Sequence, residues 1–410
     1  MNRAVLLILL ALAGVSTAGA EAADTAVARA LTILQRDNAW TLGQQVGLCE
    51  IPAPPFKEAA RGAEYARRFE ALGYHTAIDP IGNVIAIRPG TGGGRRLVLA
   101  AHLDTVFPEG TDVKVRHEGG RMSAPGIGDD CRGLAVVLAV ARAMNLAGVK
   151  TVGDLVFVGN VGEEGPGNLR GTRYLFEHGS AGRIDAFISV DGVGLGATHG
   201  AVGSNRYRVT FAGPGGHSYG DFGMPNPMHA MGRAIATIAA FDVPASPKTT
   251  FNVGMVKGGT SVNSITMAAT LEMDLRSESA AALARLDSAF RAAVAGAVTA
   301  EIARWPGSKA ALTARIDTIG IRPAGSQPDT LWLLRAAQDA ARRLGFPPPP
   351  GGAGSTDANV PIRLGIPAIA LDGGGRSDGT HSLGEWYEDG DRGYLGPQWA
   401  LLVALAATGR

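Results

Sequence analysis

The sequence predicts an α/β protein in which a mostly parallel sheet is flanked by helices and interrupted by a smaller inserted α+β domain of ferredoxin-like order. Three observations lead there. Short apolar runs alternate with segments of helical period up to about residue 200. The texture then changes to two-residue alternation at Tyr207, Val209 and Phe211. Helix–strand alternation resumes at Thr330, after a break at Pro323 and Pro328. Continuous apolar runs mark strands covered on both faces, whereas alternation marks a half-exposed antiparallel strand.

The elements follow in order. Helices are predicted over Thr25–Gly47 and Glu58–Gly73; in the second, Ala63, Ala66, Phe69 and Leu72 share a face and Gly73 supplies the stop. Strands are predicted at Asn83–Ile87, Arg96–Ala101, Asp154–Gly159 and Ile184–Val190, with an apolar helix at Leu134–Asn145. Such alternation implies right-handed crossovers, with chemistry at the carboxyl ends of the strands. From residue 203 the order is strand, helix Pro227–Ala240, strands Phe251–Met255 and Ala268–Leu275, helix Ala280–Ala300 and strand Ala311–Ile319. That is the β-α-β-β-α-β order of the split βαβ arrangement. A helix at Thr330–Leu344 and a strand at Ala368–Leu371 return to the first pattern. The predicted organisation is therefore 21–202, an insert at 203–322, and 323–410.

Composition limits the partners. With 46% hydrophobic residues, 410 residues can bury more than one core. Lys and Arg number 38 against 37 Asp and Glu, a net +1. Nucleic acid or an anionic membrane would require a clustered basic excess, so neither is expected as a partner. Residues 1–20 read as a secretory signal, with Arg3, an apolar run Val5–Ala13 and a small-x-small site at Ala18-Gly19-Ala20. The run is shorter than the roughly 20 residues that span a bilayer. The mature chain is thus expected to be exported, most simply to a periplasm, with an uncleaved anchor as the alternative. Cys49 and Cys131 are read as two buried unpaired thiols, although an oxidising compartment would permit a bridge.

Five signals carry chemistry. His102-Leu103-Asp104 ends a predicted strand, and residues two apart share a face, so the imidazole and carboxylate lie together. Gly126-Ile127-Gly128-Asp129-Asp130-Cys131-Arg132-Gly133 sets two carboxylates in a Gly-rich turn before an apolar helix, where either a cap or a cation ligand is a fair reading. Gly162-Glu163-Glu164-Gly165 places adjacent glutamates in an apolar context, a costly arrangement unless a cation compensates them. One can ligate while its neighbour acts as general base. Asp191 ends another strand, and His381 follows the Gly-rich loop Asp372–Gly375. Jointly His102, Asp129, Glu164, Asp191 and His381 supply two imidazoles and three carboxylates, about what two bridged divalent ions require. Nitrogen and oxygen donors without thiolate suit zinc, with cobalt or manganese as substitutes.

With these motifs in place, the sequence resembles the di-zinc hydrolases of metallopeptidase family twenty, which include peptidase T, bacterial glutamate carboxypeptidase, acetylornithine deacetylase and aminoacylase. The resemblance covers essentially the whole mature chain, through Leu97–Pro108, Gly128–Gly133, Gly162–Gly165, Gly215-Gly216-His217-Ser218 and Gly354–Asn359. It implies a zinc-peptidase-like fold with an inserted lid and two Zn2+ per subunit. His102 and Asp191 would hold one zinc, Glu164 and His381 the other, and Asp129 would bridge. By the same resemblance Asp104 orients His102, Glu163 is the general base, and His217 meets a substrate carbonyl. Asn263 and Arg276 grip a substrate carboxylate, Gly354 and Ser355 line its pocket, and the lid carries a homodimer interface.

Two departures stand out. Cys131-Arg132 replaces the Lys or Ser-Arg of many relatives, and packing is the expected role of Cys131. The stretch Gly165–Gly171 resembles the peptidase-T-like branch, which tilts the expected activity towards an aminopeptidase or tripeptidase acting on short peptides. A carboxypeptidase or an N-acyl-amino-acid deacylase with the same metal chemistry is the alternative, and a non-catalytic binding protein is a third reading.

Overall fold

The computed structural model describes residues 24–409, so the expected signal at 1–20 lies outside the described residues. The chain divides into two compact units. One runs to His199 and resumes at Gln327; the other spans Gly200–Ser326.

The larger unit is organised by a seven-stranded sheet. Its order is Thr76–Ile78, Val84–Arg88, Leu155–Asn160, Leu97–His102, Ala186–Val190, Ala368–Leu371 and Ala197–Thr198. The four strands from Leu155–Asn160 to Ala368–Leu371 are mutually parallel. Leu97–His102 and Leu155–Asn160 are joined through the helix Cys131–Ala147, as parallel neighbours require a crossover. Val84–Arg88 and Ala197–Thr198 pair antiparallel to this block. Every residue of Leu97–His102, Leu155–Asn160 and Ala186–Val190 is buried, in keeping with their unbroken apolar character. The carboxyl ends of these strands deliver His102, the turn before Glu163, and Asp191.

The predicted helix Thr25–Gly47 is two helices, residues 24–36 and Asn38–Cys49. Asp37 breaks it. Its carboxylate accepts from Arg36 and from Arg142 of Cys131–Ala147, while its backbone leaves the helical region. The Cys131–Ala147 helix begins three residues before its predicted start. Asp130 caps it by accepting from Gly133 N at 3.0 Å, and Gly148 ends it at φ 68°. Absent from the sequence reading were helices Arg170–His178, Asn359–Arg363 and Leu395–Thr408, the sheet-edge strands Thr76–Ile78 and Ala197–Thr198, and a small antiparallel sheet of Arg376–Asp378, Trp386–Glu388, Arg121–Ser123 and Arg116–Glu118, among other short strands. Leu395–Thr408 carries Trp399, which is fully buried and donates from Nε1 to Ala337 O at 2.8 Å.

The smaller unit contains a four-stranded antiparallel sheet ordered Thr249–Gly258, Ala268–Ser277, Gly203–Ala212 and Thr313–Arg322. Helices Pro227–Ala239 and Ala280–Ala303 cover one face, burying Tyr207, Val209, Phe211, Leu271, Met273 and Leu275 against Met231, Ile238, Leu286 and Phe290. Asn226 and Ser279 cap the two helices through their side chains. The unit extends past the predicted 203–322 at both ends, where Ala201 and Gly325 exchange backbone hydrogen bonds. Among the described residues, no helix is long and apolar enough to cross a membrane.

Candidate metal centre

The strand Leu97–His102 ends with His102 almost wholly buried. The His102 backbone N donates to Asp130 Oδ2 at 2.9 Å, and Nδ1 lies 3.0 Å from the main-chain oxygen of Asp104. That contact leaves Nε2 directed at Asp129 Oδ1, 2.9 Å away. Asp104 acts on more than the ring. Its carboxylate is 3.6 Å from His102 Nδ1, but accepts from Glu163 N at 3.0 Å and Glu164 N at 2.8 Å. One buried carboxylate therefore ties the histidine to the glutamate turn.

The Asp129 turn is held from the other side of the chain. Both carboxylate oxygens of Glu385 are used: Oε2 accepts from Gly126 N at 2.8 Å, and Oε1 accepts from Gly128 N at 2.8 Å and Asp129 N at 3.1 Å. At Gly133, a Cβ would fall 2.1 Å from Val190 O, so only glycine lets the helix start approach the strand that ends at Asp191. Asp129 then faces two imidazoles. Its Oδ2 is 3.1 Å from His381 Nε2, which also lies 2.9 Å from Glu164 Oε1. His381 has φ 65°, a left-handed conformation that costs a non-glycine residue about 1–2 kcal/mol.

Ligand atoms converge within 4.8 Å in the sets His102–Asp129–Asp191 and Asp129–Glu164–His381, which share Asp129. A third set joins Glu163 to His102 and Glu164. Electrostatics reflects this crowding. Burial first, then the neighbouring charges of Asp129, Asp357 and Glu164, pushes Asp191 up to about 7, with His102 opposing. Hydrogen bonds to Asp129 and Glu164 push His381 up to about 10. Burial alone would raise Asp129, but hydrogen bonds from His102 and His381 hold it below the usual carboxylate range.

The remaining predicted residues fall in three places. Gly354 and Ser355 precede the short helix Asn359–Arg363. In that loop Asp357 is buried and accepts from Asn160 Nδ2 at 2.5 Å and Thr172 Oγ1 at 2.6 Å. His217 and Asn263 lie beside each other in the smaller unit: His217 pairs with Ser264, and Ser218 N donates to Asn263 O at 2.9 Å. Arg276 sits on the four-stranded sheet there, its Nε donating to Asp274 at 2.7 Å. Cys49 and Cys131 are unpaired thiols in a buried apolar cluster with Ile127 and Tyr387.

The pattern defining peptidase family M20/M25/M40 matches residues 98–395. The chain belongs to that family. Carboxypeptidase G2 of Pseudomonas sp. (strain RS-16) is 29% identical over 191 residues, 45% of each chain. Succinyl-diaminopimelate desuccinylase of Leptothrix cholodnii is 32% identical over 196 residues, 44% of this chain and 50% of the relative. The M20 chain thus spans about half the length of the curated relatives it matches. Its fold is that of aminopeptidase PepT from Bacillus cereus, with a TM-score of 0.72 at 20% identity over 90% of this chain and 98% of that one. It is likewise similar to YXEP of Bacillus subtilis, described as a dinuclear metal-binding peptidase, with a TM-score of 0.65 at 18% identity over 90% and 98%.

The donors of this M20 chain fit two divalent cations. Asp129 offers one oxygen to each imidazole, so each half of the cluster has one nitrogen and carboxylate oxygens. Buried carboxylates this close are unfavourable without a compensating cation, and hard nitrogen and oxygen donors match zinc, cobalt or manganese. The sequence reading missed Glu385 and gave Asp357 no role of its own, although it lies within the quoted stretch Gly354–Asn359. Glu385 follows His381 by four residues, but its partners are backbone N–H groups more than 250 positions away, which no local pattern exposes.

Proposed function

We propose that the protein is an exported di-zinc hydrolase that cleaves amide bonds of short peptides, in the manner of an aminopeptidase or tripeptidase. The observation that carries this reading is the pair of three-residue donor sets sharing Asp129, with Glu163 beside them. His102 and Asp191 would hold one cation and Glu164 and His381 the other, with Asp129 between. When bound, two such cations lower the pKa of a shared water, to about 7 in favourable zinc sites, and polarise a carbonyl.

Glu163 would take the proton from the attacking water and return it to the leaving amine. Asp104 fixes the turn on which Glu163 stands by accepting from its backbone N–H. His217 suits a carbonyl oxygen. Its Nδ1 accepts from Tyr219 N and Gly220 N, each at 3.2 Å, so a neutral ring carries its proton on the exposed Nε2. That proton can be donated to a developing oxyanion. In this reading the smaller unit is the lid and homodimer interface, Asn263 and Arg276 hold a substrate carboxylate, and Gly354 and Ser355 line the pocket. The basic start, short apolar run and small-x-small site within residues 1–20 support export, most simply to a periplasm.

A second reading has its own support. The sequence relatives named above are a carboxypeptidase and a desuccinylase, so attack at the carboxyl end or deacylation uses the same centre. The deciding experiment incubates residues 21–410, loaded with zinc, with free tripeptides, dipeptides, N-blocked peptides and N-acetyl amino acids, and identifies products by mass spectrometry. The aminopeptidase reading expects loss of the first residue from free peptides alone. Cleavage of N-blocked substrates would transfer the assignment to a carboxypeptidase or deacylase, and no turnover in protein holding two metals would leave a binding protein.

A further inference from the structure

Arg132 stands in the first turn of the Cys131–Ala147 helix, three residues after Asp129, and is fully buried. Its Nε donates to Gly373 O at 2.7 Å and its Nη2 to Gly393 O at 2.8 Å. Between those two glycines the chain runs out along Arg376–Asp378 and back along Trp386–Glu388, which pair antiparallel. The turn that joins them carries His381. One guanidinium therefore holds both ends of the hairpin that presents a predicted metal ligand.

We propose that Arg132 is the positioning residue for His381: by clamping the base of this hairpin it sets how tightly a cation is held between Glu164 and His381. The inference rests on the di-zinc reading above and adds a residue to it. The build of the hairpin base is the first argument. A Cβ at Gly373 would fall 2.9 Å from Arg132 Cγ, one at Gly374 2.4 Å from Gly393 O, and one at Gly396 1.9 Å from Gly373 O. Glycine alone lets the two ends approach each other and the arginine stem so closely. The buried Tyr387 ring lies 5.1 Å from Arg132 Cζ and donates its hydroxyl proton to Asp389 Oδ1 at 2.8 Å. That carboxylate is 3.7 Å from Arg132 Nη1, so the short contacts of the guanidinium are those to the two carbonyls. A guanidinium reaches two acceptors at once through its fixed fork of donors, which an ammonium group does not.

What holds each ligand is the second argument. His102 belongs to a wholly buried strand, and Asp191 directly follows another. The Asp129 turn is secured by Glu385 and by Gln45, whose Nε2 donates to Ile127 O at 2.8 Å. His381 differs, because its side chain is 53% exposed and packing does not fix it. The strand before it, Arg376–Asp378, is the edge of its sheet, whereas Trp386–Glu388 also pairs with Arg121–Ser123. The hold of Arg132 on Gly373 is thus applied at the less supported end of the hairpin. Groups that orient a metal ligand from behind are worth about 10–100-fold in metal affinity.

The test titrates zinc into the metal-stripped full chain against a chromophoric chelator, which reads the two equivalents separately. Arg132→Lys keeps the charge and loses the fork. It should weaken one zinc by about tenfold or more and leave the other within about twofold. His381→Ala should hold a single zinc, and adding Arg132→Lys to it should change that affinity by less than about twofold. A merely structural role would weaken the remaining zinc as well. Should Arg132→Lys fail to fold by circular dichroism, Gly373→Ala, whose Cβ presses on the arginine stem, carries the result with the same expectation. The clamp is overturned if both zinc ions stay as tight in Arg132→Lys, if both weaken equally, or if the His381→Ala chain loses further affinity. A wild-type chain that takes up fewer than two zinc ions would instead bring down the di-zinc reading and the clamp together, so the two failures are told apart by the wild-type titration.

Discussion

Glu163 and Glu164 are adjacent yet have different expected roles, and that difference is measurable. Glu163→Ala should lower turnover by about 10²–10⁴-fold or more while zinc content, read by mass spectrometry, stays at the wild-type value. Loss of zinc along with activity would instead assign Glu163 to the ligands. Glu385 is a positioning residue for Asp129. Glu385→Ala strands the N–H groups of Gly126, Gly128 and Asp129, each costing about 1–3 kcal/mol when buried and unsatisfied. Zinc affinity measured by competition with a chromophoric chelator should fall, and Glu385→Gln, which keeps one acceptor oxygen, should recover part of it; unchanged affinity in both variants would remove this role. A third residue reports through pH. Burial raises Asp372 to about 6, opposed by its hydrogen bond from Gly196 N. The folded state therefore binds a proton that the unfolded chain, with an ordinary Asp near 3.9, has released. That contribution to stability is full below about pH 4 and is lost as pH rises through 6. Asp372→Asn should flatten denaturant midpoints over this window; an unaltered slope would contradict it. At this scale the sequence was informative where chemistry is unusual by residue type. His102, Asp129, Glu163, Glu164, Asp191 and His381 stand out because charged and ring donors interrupt apolar or Gly-rich stretches. Glu385, Asp357 and Asp372 were silent because their partners are backbone groups or distant side chains.

Elements position these residues through strand ends and one close approach. Parallel strands Leu97–His102 and Ala186–Val190 end beside each other, which brings His102 and Asp191 to the same edge. The start of the Cys131–Ala147 helix then presses against Val190, and Gly133 makes that contact feasible. Gly133→Ala should destabilise by about 1–3 kcal/mol or more from overpacking and weaken zinc binding, because the displaced turn carries Asp129. Retention of both stability and zinc would show that the helix start has room to move. Legibility at this scale followed periodicity. Most buried strands and amphipathic helices were visible, with ends displaced by at most three residues, although the short helix Arg170–His178 was not. The helix Leu395–Thr408 was not, because all of it except Ala406 is buried and an all-round apolar helix has no polar face to reveal its period. Trp399→Ala in that helix should cost about 3–5 kcal/mol, seen as a lowered midpoint in urea unfolding. The break at Asp37 was hidden for a different reason, since Arg142, which holds its carboxylate, lies 105 positions away.

The whole molecule combines a mostly parallel-sheet unit that carries the candidate metal ligands with a smaller antiparallel unit. The change from continuous apolar runs to two-residue alternation made this division readable from sequence, because a sheet buried on both faces and one buried on a single face select different side chains. A near-zero net charge is the reason no polyanion partner was expected from the sequence. The central claim is the shared Asp129 bridge, and the most direct measurement is zinc stoichiometry of the purified chain after loading and removal of excess metal. The account predicts two zinc ions per chain; a value of one or none would contradict it.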